Sequence, residues 1–263
     1  MTDSSHPIAA NRPTAEDGRQ YHLQTAAGDL ARHCLLVGAP ERAEMIAREM
    51  MEGGKEMGNH RGLASYTGTY RGLPISVVTT GMGGASAGIV MPEAVRSGAR
   101  IFIRVGSCGA LQPNVPCGSA VICSGACRYD GASENWAPTE WPAVADYRVV
   151  AALAAAAEAA GESCPIGIGV TTACFNEGQA RPDDGGYIPE RILRRHEELV
   201  RRGALFYSME ESALFVWCST HGQLPCGSID TVYANRHDNT FLAGGDEKAA
   251  RIALEALLLL KDA

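Results

Sequence analysis

The sequence lacks several features that would place it among membrane, secreted or nucleic-acid-binding proteins. No apolar run approaches the roughly 20 residues that a membrane-spanning helix needs. The polar first stretch, Met1–Gly18, has no apolar core of the kind that a secretory signal contains. Positive charge is not in excess, because the formal net charge is −7. We therefore expect no membrane and no nucleic acid as a partner.

Paired cysteine spacing is missing as well. The nine cysteines are an odd number, and the cluster of Cys117, Cys123 and Cys127 lacks Cys-x-x-Cys spacing. Without a secretory signal, this pattern is typical of reduced thiols rather than of disulfides or a zinc site. The sequence therefore predicts a cytoplasmic protein with no metal site.

Predicted strands and helices alternate along the chain, and no change in composition marks a linker. This alternation predicts an α/β protein with a single three-layer αβα domain, in which helices cover both faces of one sheet. We expect this domain over residues 21–263, after a flexible N-terminal lead over residues 1–20. The glycine-rich, polar segment Met51–His60 is interpreted as a loop.

The segment Ile101–Val105 is predicted to be a buried central strand, because it is rich in β-branched and aromatic residues. Arg104 lies inside it, and a buried guanidinium requires an anion or a carboxylate beside it. The following Gly106–Gly109 is interpreted as a turn that presents the Ser107 hydroxyl between glycines. Two interpretations stay open here: an anion site, or an Arg104 that only pairs with a core carboxylate.

A second glycine-rich turn, Gly81–Ser86, joins a predicted strand to a predicted helix, as in dinucleotide-binding proteins. Ser86 stands where the third glycine of that motif belongs. The motif also requires an acidic residue at the end of the following strand, but that strand contains Arg104 instead. The sequence therefore does not favour a nicotinamide cofactor.

Arginines recur at the ends of predicted strands or in the loops beside them. Arg42 follows the first strand, Arg104 lies in the central one, Arg181 lies in a long loop, and Arg236 follows the last strand. Because strand ends gather ligands in α/β proteins and forked guanidinium donors suit phosphate and carbonyl oxygens, this placement predicts an anion-binding cleft.

Several short motifs occur in one order along nearly the whole chain. They are Gly38-Ala39-Pro40-Glu41-Arg42, Thr80-Gly81-Met82-Gly83-Gly84, Arg104-Val105-Gly106-Ser107-Cys108-Gly109, Asp130-Gly131-Ala132-Ser133, Phe175-Asn176-Glu177-Gly178-Gln179-Ala180-Arg181, Met209-Glu210-Glu211-Ser212-Ala213 and Asn235-Arg236. In this order they resemble the nucleoside phosphorylase family, and within it the members that cleave uridine. The resemblance implies a mixed, twisted sheet and an enzyme that converts uridine and related pyrimidine nucleosides to the base and α-ribose 1-phosphate. It implies no cofactor, because inorganic phosphate is the second substrate.

The resemblance also assigns the phosphate-binding residues. Gly38, Arg42, Arg104 and Ser107 match the family's positions for the attacking phosphate, and Arg104 and Ser107 are thereby catalytic candidates. Arg61 matches an arginine that reaches the same phosphate from a neighbouring subunit. His22 matches a histidine that contacts the ribose 5′ end across the same interface. The implied protein is a homo-oligomer built from dimers, as in hexameric family members.

The resemblance leaves two candidate carboxylates as ligands of the ribose hydroxyls. Counting back from Ser212 makes Glu211 the ribose ligand and catalytic carboxylate, and this count is favoured. Counting forward from Met209 makes Glu210 the ligand instead.

The base pocket is implied by Phe175, Gln179, Arg181 and Arg236. A glutamine amide can meet the N3–H of uracil and an adjacent carbonyl, and an arginine can donate to the other carbonyl. Arg181 is also the candidate that stabilises charge on the departing base. Asn235 stands where purine-specific relatives carry an Asp.

Three alternative functions stay open at this stage. These are a purine nucleoside phosphorylase, a nucleosidase that uses water, and a nucleoside-binding relative without activity. Ala39 and Cys108 depart from the family pattern around the phosphate. Gly62 stands where some relatives carry a Glu that binds a monovalent metal ion between subunits, so we expect no such site.

Overall fold

The computed structural model describes residues 10–15 and 17–262. Its strands are β1 (His33–Val37), β2 (Glu52–His60), β3 (Leu63–Tyr70), β4 (Leu73–Thr79), β5 (Ile101–Ala110), β6 (Ala120–Tyr129), β7 (Ile166–Thr172), β8 (Phe206–Ser208), β9 (Cys226–Asn235) and β10 (Thr240–Phe241). Its helices are α1 (Pro40–Met45), continued by a π-helical turn (Ile46–Met50), α2 (Gly84–Ser97), α3 (Tyr147–Ala159), α4 (Glu190–Arg201), α5 (Glu211–Thr220) and α6 (Asp246–Leu259).

All ten of these strands belong to one mixed sheet, in the order β10-β9-β6-β7-β8-β5-β1-β4-β3-β2, with a further pairing of β9 with β5. Because β5 pairs with both β8 and β9, the strands β5, β9, β6, β7 and β8 close into a ring. The pairs β1–β4, β1–β5 and β5–β9 are parallel, whereas β2–β3, β3–β4 and β5–β8 are antiparallel. The predicted mixed sheet and the α/β class are confirmed.

Alternation along β5 divides the core between the two faces of the sheet. Ile101, Ile103 and Val105 pack in the apolar cluster that contains buried residues of α3 and α6. Phe102 packs in the cluster that contains buried residues of α2 and α5. The helices therefore lie in two layers around the sheet, as predicted. None of the described helices has both the length and the hydropathy to span a bilayer.

Two glycine-rich segments are strands, although the sequence analysis interpreted them as a loop and a turn. Residues 52–60 form β2, and Gly54 and Gly58 lie there against the backbone of Ala47 and Leu23. Strand β5 continues through Gly106 to Ala110, paired with β9. In both places glycine is needed for close packing, not for a change in chain direction.

The expected N-terminal lead lies partly outside the described residues, which omit 1–9 and 16. Its described end contacts the domain: Arg19 Nη1 donates to Asp29 Oδ2 at 3.1 Å, and the Gln20 side chain is buried. All nine cysteines are free.

Candidate active site

A cavity of about 510 Å³ lies at the carboxyl-terminal ends of β1, β5 and β9. Ligands collect at this edge in open α/β sheets. The predicted site residues in its wall are Gly38, Arg42, Arg104, Ser107, Phe175, Gln179, Arg181 and Glu210. Residues that are far apart in sequence are thus brought into one cleft, as the arginine pattern predicts. Glu211, Arg236, His22 and Arg61 do not line it.

Arg104 is a buried cation in the cavity wall. Its Nη2 lies 2.6 Å from Glu210 Oε2, and its Nε donates to Glu211 Oε1 at 2.7 Å. Burial alone would lower the pKa of Arg104, but the charges of Glu210, Glu211 and Asp230 raise it above its ordinary value. The two interpretations left open for Arg104 are therefore compatible, because the side chain pairs with carboxylates and also lines the cavity.

Asp230 is a third acidic residue beside Arg104, and the sequence analysis did not single it out. Its Oδ1 lies 3.7 Å from Arg104 Nη2, and Ser228 Oγ donates to its Oδ2 at 2.6 Å. Burial, reinforced by the charge of Glu211, raises the pKa of Asp230 well above its ordinary value. A Cβ at Gly106 would overlap Asp230 Oδ1, which explains the glycine at that position.

Arg42 reaches the cavity wall from the first turn of α1. Pro40 begins that helix, where its missing N–H costs nothing. Arg42 Nη1 donates to the carbonyl of Val105 at 3.1 Å, and Nη2 donates to Tyr233 Oη at 3.2 Å. Its Nε lies 3.0 Å from Asp246 Oδ2 at the start of α6. The guanidinium is thus held by groups of three elements next to Ser107.

Glu210 and Glu211 occupy different environments, although both contact Arg104. Glu210 precedes α5 and lines the cavity, where its Oε1 accepts a hydrogen bond from the Gly83 N–H at 2.5 Å. Glu211 is fully buried behind the wall and accepts a hydrogen bond from Ser208 Oγ. Burial raises the pKa of Glu210. For Glu211 burial acts in the same direction, but Arg104 and the Ser208 hydrogen bond outweigh it and lower the pKa.

The loop between β7 and α4 contributes Phe175, Gln179 and Arg181 to the cavity wall. Arg181 Nη1 donates to Gln179 Oε1 at 2.6 Å and to the Phe175 carbonyl at 2.5 Å. The Arg181 guanidinium lies 3.7 Å from the centroid of the Phe175 ring. Burial, together with the charge of Arg236, lowers the pKa of Arg181 to about 10. The Arg181 guanidinium therefore contacts both the Gln179 amide and the Phe175 ring, the other two groups that the resemblance implied for the base.

Arg236 and Asn235 lie behind this wall. Arg236 donates to the carbonyls of Gln179 and Ala180 at 2.9 and 3.1 Å, so its fork binds the loop backbone. The buried Asn235 side chain donates from Nδ2 to the Gln112 and Val115 carbonyls at 3.1 and 3.0 Å. It also accepts a hydrogen bond from the His237 N–H. Asn235 thus holds neighbouring backbone and does not face the cavity.

His22 and Arg61 line a second cavity of about 370 Å³, which shares Gly38, Pro40 and Met82 with the first. His22 Nδ1 lies 2.7 Å from Glu93 Oε1. Arg61 has a φ of 56° and Gly62 a φ of 77°, as the two-residue turn between β2 and β3 requires. The two side chains therefore lie close to each other and at the edge of the main cavity.

The cavity wall also contains side chains that the sequence analysis did not name as site residues. They include Met82, Tyr207, Tyr233 and Phe241. Met82 and Phe241 are largely exposed, at 82% and 74%. Met82 follows a predicted strand end, so its position was a usable signal. Phe241 lies on a short hairpin strand with no such pattern.

Comparison with known proteins agrees with this arrangement. The family model described as "Phosphorylase superfamily" matches residues 32–260. Uridine phosphorylase of Thermococcus kodakarensis is 39% identical over 255 residues, covering 97% of this chain and 91% of the relative. Uridine phosphorylase of Klebsiella aerogenes is 36% identical, covering 82% of this chain and 86% of the relative. Guanosine phosphorylase of Halorubrum lacusprofundi is 30% identical, covering 92% of this chain and 99% of the relative. The chain, with its arginine-lined cleft at the carboxyl ends of the sheet, belongs to the phosphorylase superfamily.

Proposed function

We propose that this enzyme is a uridine phosphorylase, which converts uridine and phosphate to uracil and α-ribose 1-phosphate. The observation that carries the proposal is a single cavity whose wall contains two chemically different sets of side chains. One set is Arg42, Arg104 and Ser107, and the other is Gln179 and Arg181. The first set suits an oxyanion and the second suits the imide edge of a pyrimidine.

The proposed mechanism places phosphate below C1′ of the ribose. Arg104, Arg42 and the Ser107 hydroxyl bind the phosphate oxygens, with the N–H groups near Gly38 at the start of α1 adding to the positive potential. The glycosidic bond stretches, the sugar gains positive charge, and phosphate captures C1′ with inversion. Arg181 and Gln179 stabilise the negative charge that develops on the departing base. This is electrostatic catalysis combined with positioning, without a covalent intermediate.

We propose Glu210 as the carboxylate that accepts the ribose 2′ and 3′ hydroxyls. Its position in the wall beside Arg104 supports this role, whereas the burial of Glu211 supports a role in holding Arg104. An ionised Glu210 would also favour the positive charge that develops on the sugar.

Two features favour a pyrimidine over a purine. Arg181 lines the cavity and pairs with no carboxylate among the described residues, so its cation can stabilise an anionic leaving base. Asn235 has its amide hydrogen bonds committed to backbone groups and cannot protonate a purine ring nitrogen. The guanosine phosphorylase among the relatives makes inosine and guanosine the necessary comparison substrates.

The site is proposed to be completed by a second copy of the chain, in a homo-oligomer built from dimers such as a hexamer. As the resemblance implies, Arg61 would contact the neighbour's phosphate and His22 the neighbour's ribose; both side chains line a cavity that adjoins the main one. We also propose a reaction without metal or organic cofactor. The free thiols support the proposed cytoplasmic location.

The test is a nucleoside panel, with and without inorganic phosphate. We expect uracil release from uridine only with phosphate, slow cleavage of cytidine, and little cleavage of inosine or guanosine. Ethylenediaminetetraacetate should leave the rate unchanged. Equal uridine cleavage in both buffers would identify a nucleosidase, and faster cleavage of inosine would identify a purine enzyme. Uracil binding without turnover would identify a non-catalytic binding protein.

A further inference from the structure

Three successive backbone carbonyls in the base-binding loop each accept a hydrogen bond from a guanidinium. Arg195 Nη2 donates to the Gly178 carbonyl at 2.7 Å. Arg236 donates from Nη1 to the Gln179 carbonyl at 2.9 Å and from Nη2 to the Ala180 carbonyl at 3.1 Å. Hydrogen bonds from a charged donor are about twice as strong as neutral ones. The turn that carries Gln179 is therefore held from both sides.

Arg195 reaches this turn from outside the cavity. It lies on α4, and its guanidinium stacks 4.3 Å from the centroid of the Tyr129 ring. Its Nε is buried and has no hydrogen-bond partner in the described part of the chain, so the side chain gives up hydration to bind Gly178. Arg194, its neighbour on the same helix, is exposed and pairs with Glu190 at the surface. Only Arg195 of these two arginines contacts the loop.

The turn needs such support because its conformation is unfavourable alone. Ala180 has a φ of 55°, which costs a residue other than glycine about 1 kcal/mol. The loop from residue 173 to 189 is long and largely exposed, so ordering it costs conformational entropy. The buried side chain of Gln179 depends on this ordering, because its amide is joined to Arg181.

We infer that Arg195 is a positioning residue for base recognition, which fixes Gln179 and Arg181 through the carbonyl of Gly178. This inference rests on the proposed function, since the recognised base is the uracil of uridine. The contacts of Arg195 with the described residues are to Gly178 and Tyr129, and they do not include Arg42, Arg104 or Ser107. Loss of the Arg195 guanidinium should therefore impair recognition of the nucleoside and leave phosphate binding unchanged.

The experiment compares Arg195→Met, which keeps the apolar stem, with Arg195→Lys and with the surface control Arg194→Met. For Arg195→Met we expect a kcat/KM for uridine about 10- to 100-fold lower, the range for a lost charged hydrogen bond and a displaced binding group. The preference for uridine over cytidine should fall as well. The KM for phosphate should be unchanged, Arg195→Lys should recover part of the loss, and Arg194→Met should match the wild type.

Amide hydrogen exchange of residues 173–189 in the substrate-free protein provides the second readout. Faster exchange in Arg195→Met than in Arg194→Met is expected, whatever reaction the enzyme catalyses. If the wild type does not cleave uridine, the proposed function fails while this comparison still tests the contact. The inference is overturned if exchange is equal in the two variants. It is also overturned if the KM for phosphate rises while the kcat/KM for uridine falls.

Discussion

The sharpest test of the proposed mechanism compares Glu210→Gln with Glu211→Gln. Glu210 lines the cavity and contacts Arg104 and the Gly83 N–H, and an amide oxygen preserves the second contact. We expect Glu210→Gln to fold normally and to lose about 10²- to 10³-fold in kcat, the usual effect of removing one electrostatic group from an active site. The loss should appear with uridine and phosphate both at saturation.

Glu211→Gln should act on stability first. Glu211 is completely buried, and its oxygens take hydrogen bonds from Arg104 and Ser208. Removing one charge from a buried ion pair costs about 3–5 kcal/mol of unfolding free energy. For a chain of this size that lowers the melting temperature by roughly 6–20 °C.

Calorimetry and steady-state kinetics on both variants separate the two roles. A Glu210→Gln enzyme with wild-type kcat would refute the assignment of Glu210. If, in addition, Glu211→Gln melted like the wild type but had lost its kcat, Glu211 would be the ribose ligand. A loss of melting temperature in both variants would mean that both carboxylates serve mainly to hold Arg104.

Three further changes test the surroundings of this site. Asp230 has a raised pKa, so its protonated form stabilises the fold at low pH and that contribution is lost as pH rises from about 4 through the folded pKa. Asp230→Asn should therefore gain unfolding free energy over the wild type as pH increases, and an equal difference in urea melts at pH 5 and pH 8 would contradict this. An equimolar mixture of inactive Arg61→Ala and inactive Glu210→Ala subunits, unfolded and refolded together, should recover about a quarter of wild-type activity. About half of the randomly formed dimers contain one subunit of each kind, and one of the two sites in such a dimer is complete. A mixture that recovers no activity would place Arg61 in its own chain's site. Gly106→Ala should cost about 1–3 kcal/mol in denaturant unfolding by overpacking against Asp230 and Arg104, and a wild-type unfolding midpoint would contradict this reasoning.

The order of elements was predictable because apolar periodicity is local. Strand β1 and the helices from α2 onward lie close to their predicted positions, since their apolar patterns match their final environment. The glycines of β2 and β5 led to the wrong prediction of a loop and a turn, because glycine occurs both in turns and where the backbone packs closely. At Gly54 and Gly106 it makes room for a partner from elsewhere in the chain, Ala47 and Asp230 respectively. Such a partner is known only once the chain is folded.

The candidate site was predictable where residues occupy strand ends and motifs of fixed spacing. Arg42, Arg104, Gln179 and Arg181 all lie in the cavity wall, as the pattern of arginines and the motifs indicated. Residues that act on these from a distance carry no local signal. Arg195 is one of several arginines on a charged helix, and only its contact with the base-binding loop distinguishes it.

Counting motif positions in the sequence cannot decide between Glu210 and Glu211. Both carboxylates contact the same guanidinium, so either count satisfies Arg104. The difference arises from the backbone, because Glu210 has a φ of −130° and a ψ of −28° just before α5, whereas Glu211 is the first helical residue. That non-helical conformation accompanies a Glu210 carboxylate that lines the cavity, with the Glu211 carboxylate buried behind the wall. The described contacts occupy Nε and Nη2 of Arg104, which leaves Nη1 for a ligand. One guanidinium can thus anchor the start of a helix and bind phosphate with different nitrogen atoms, as the proposed reaction requires.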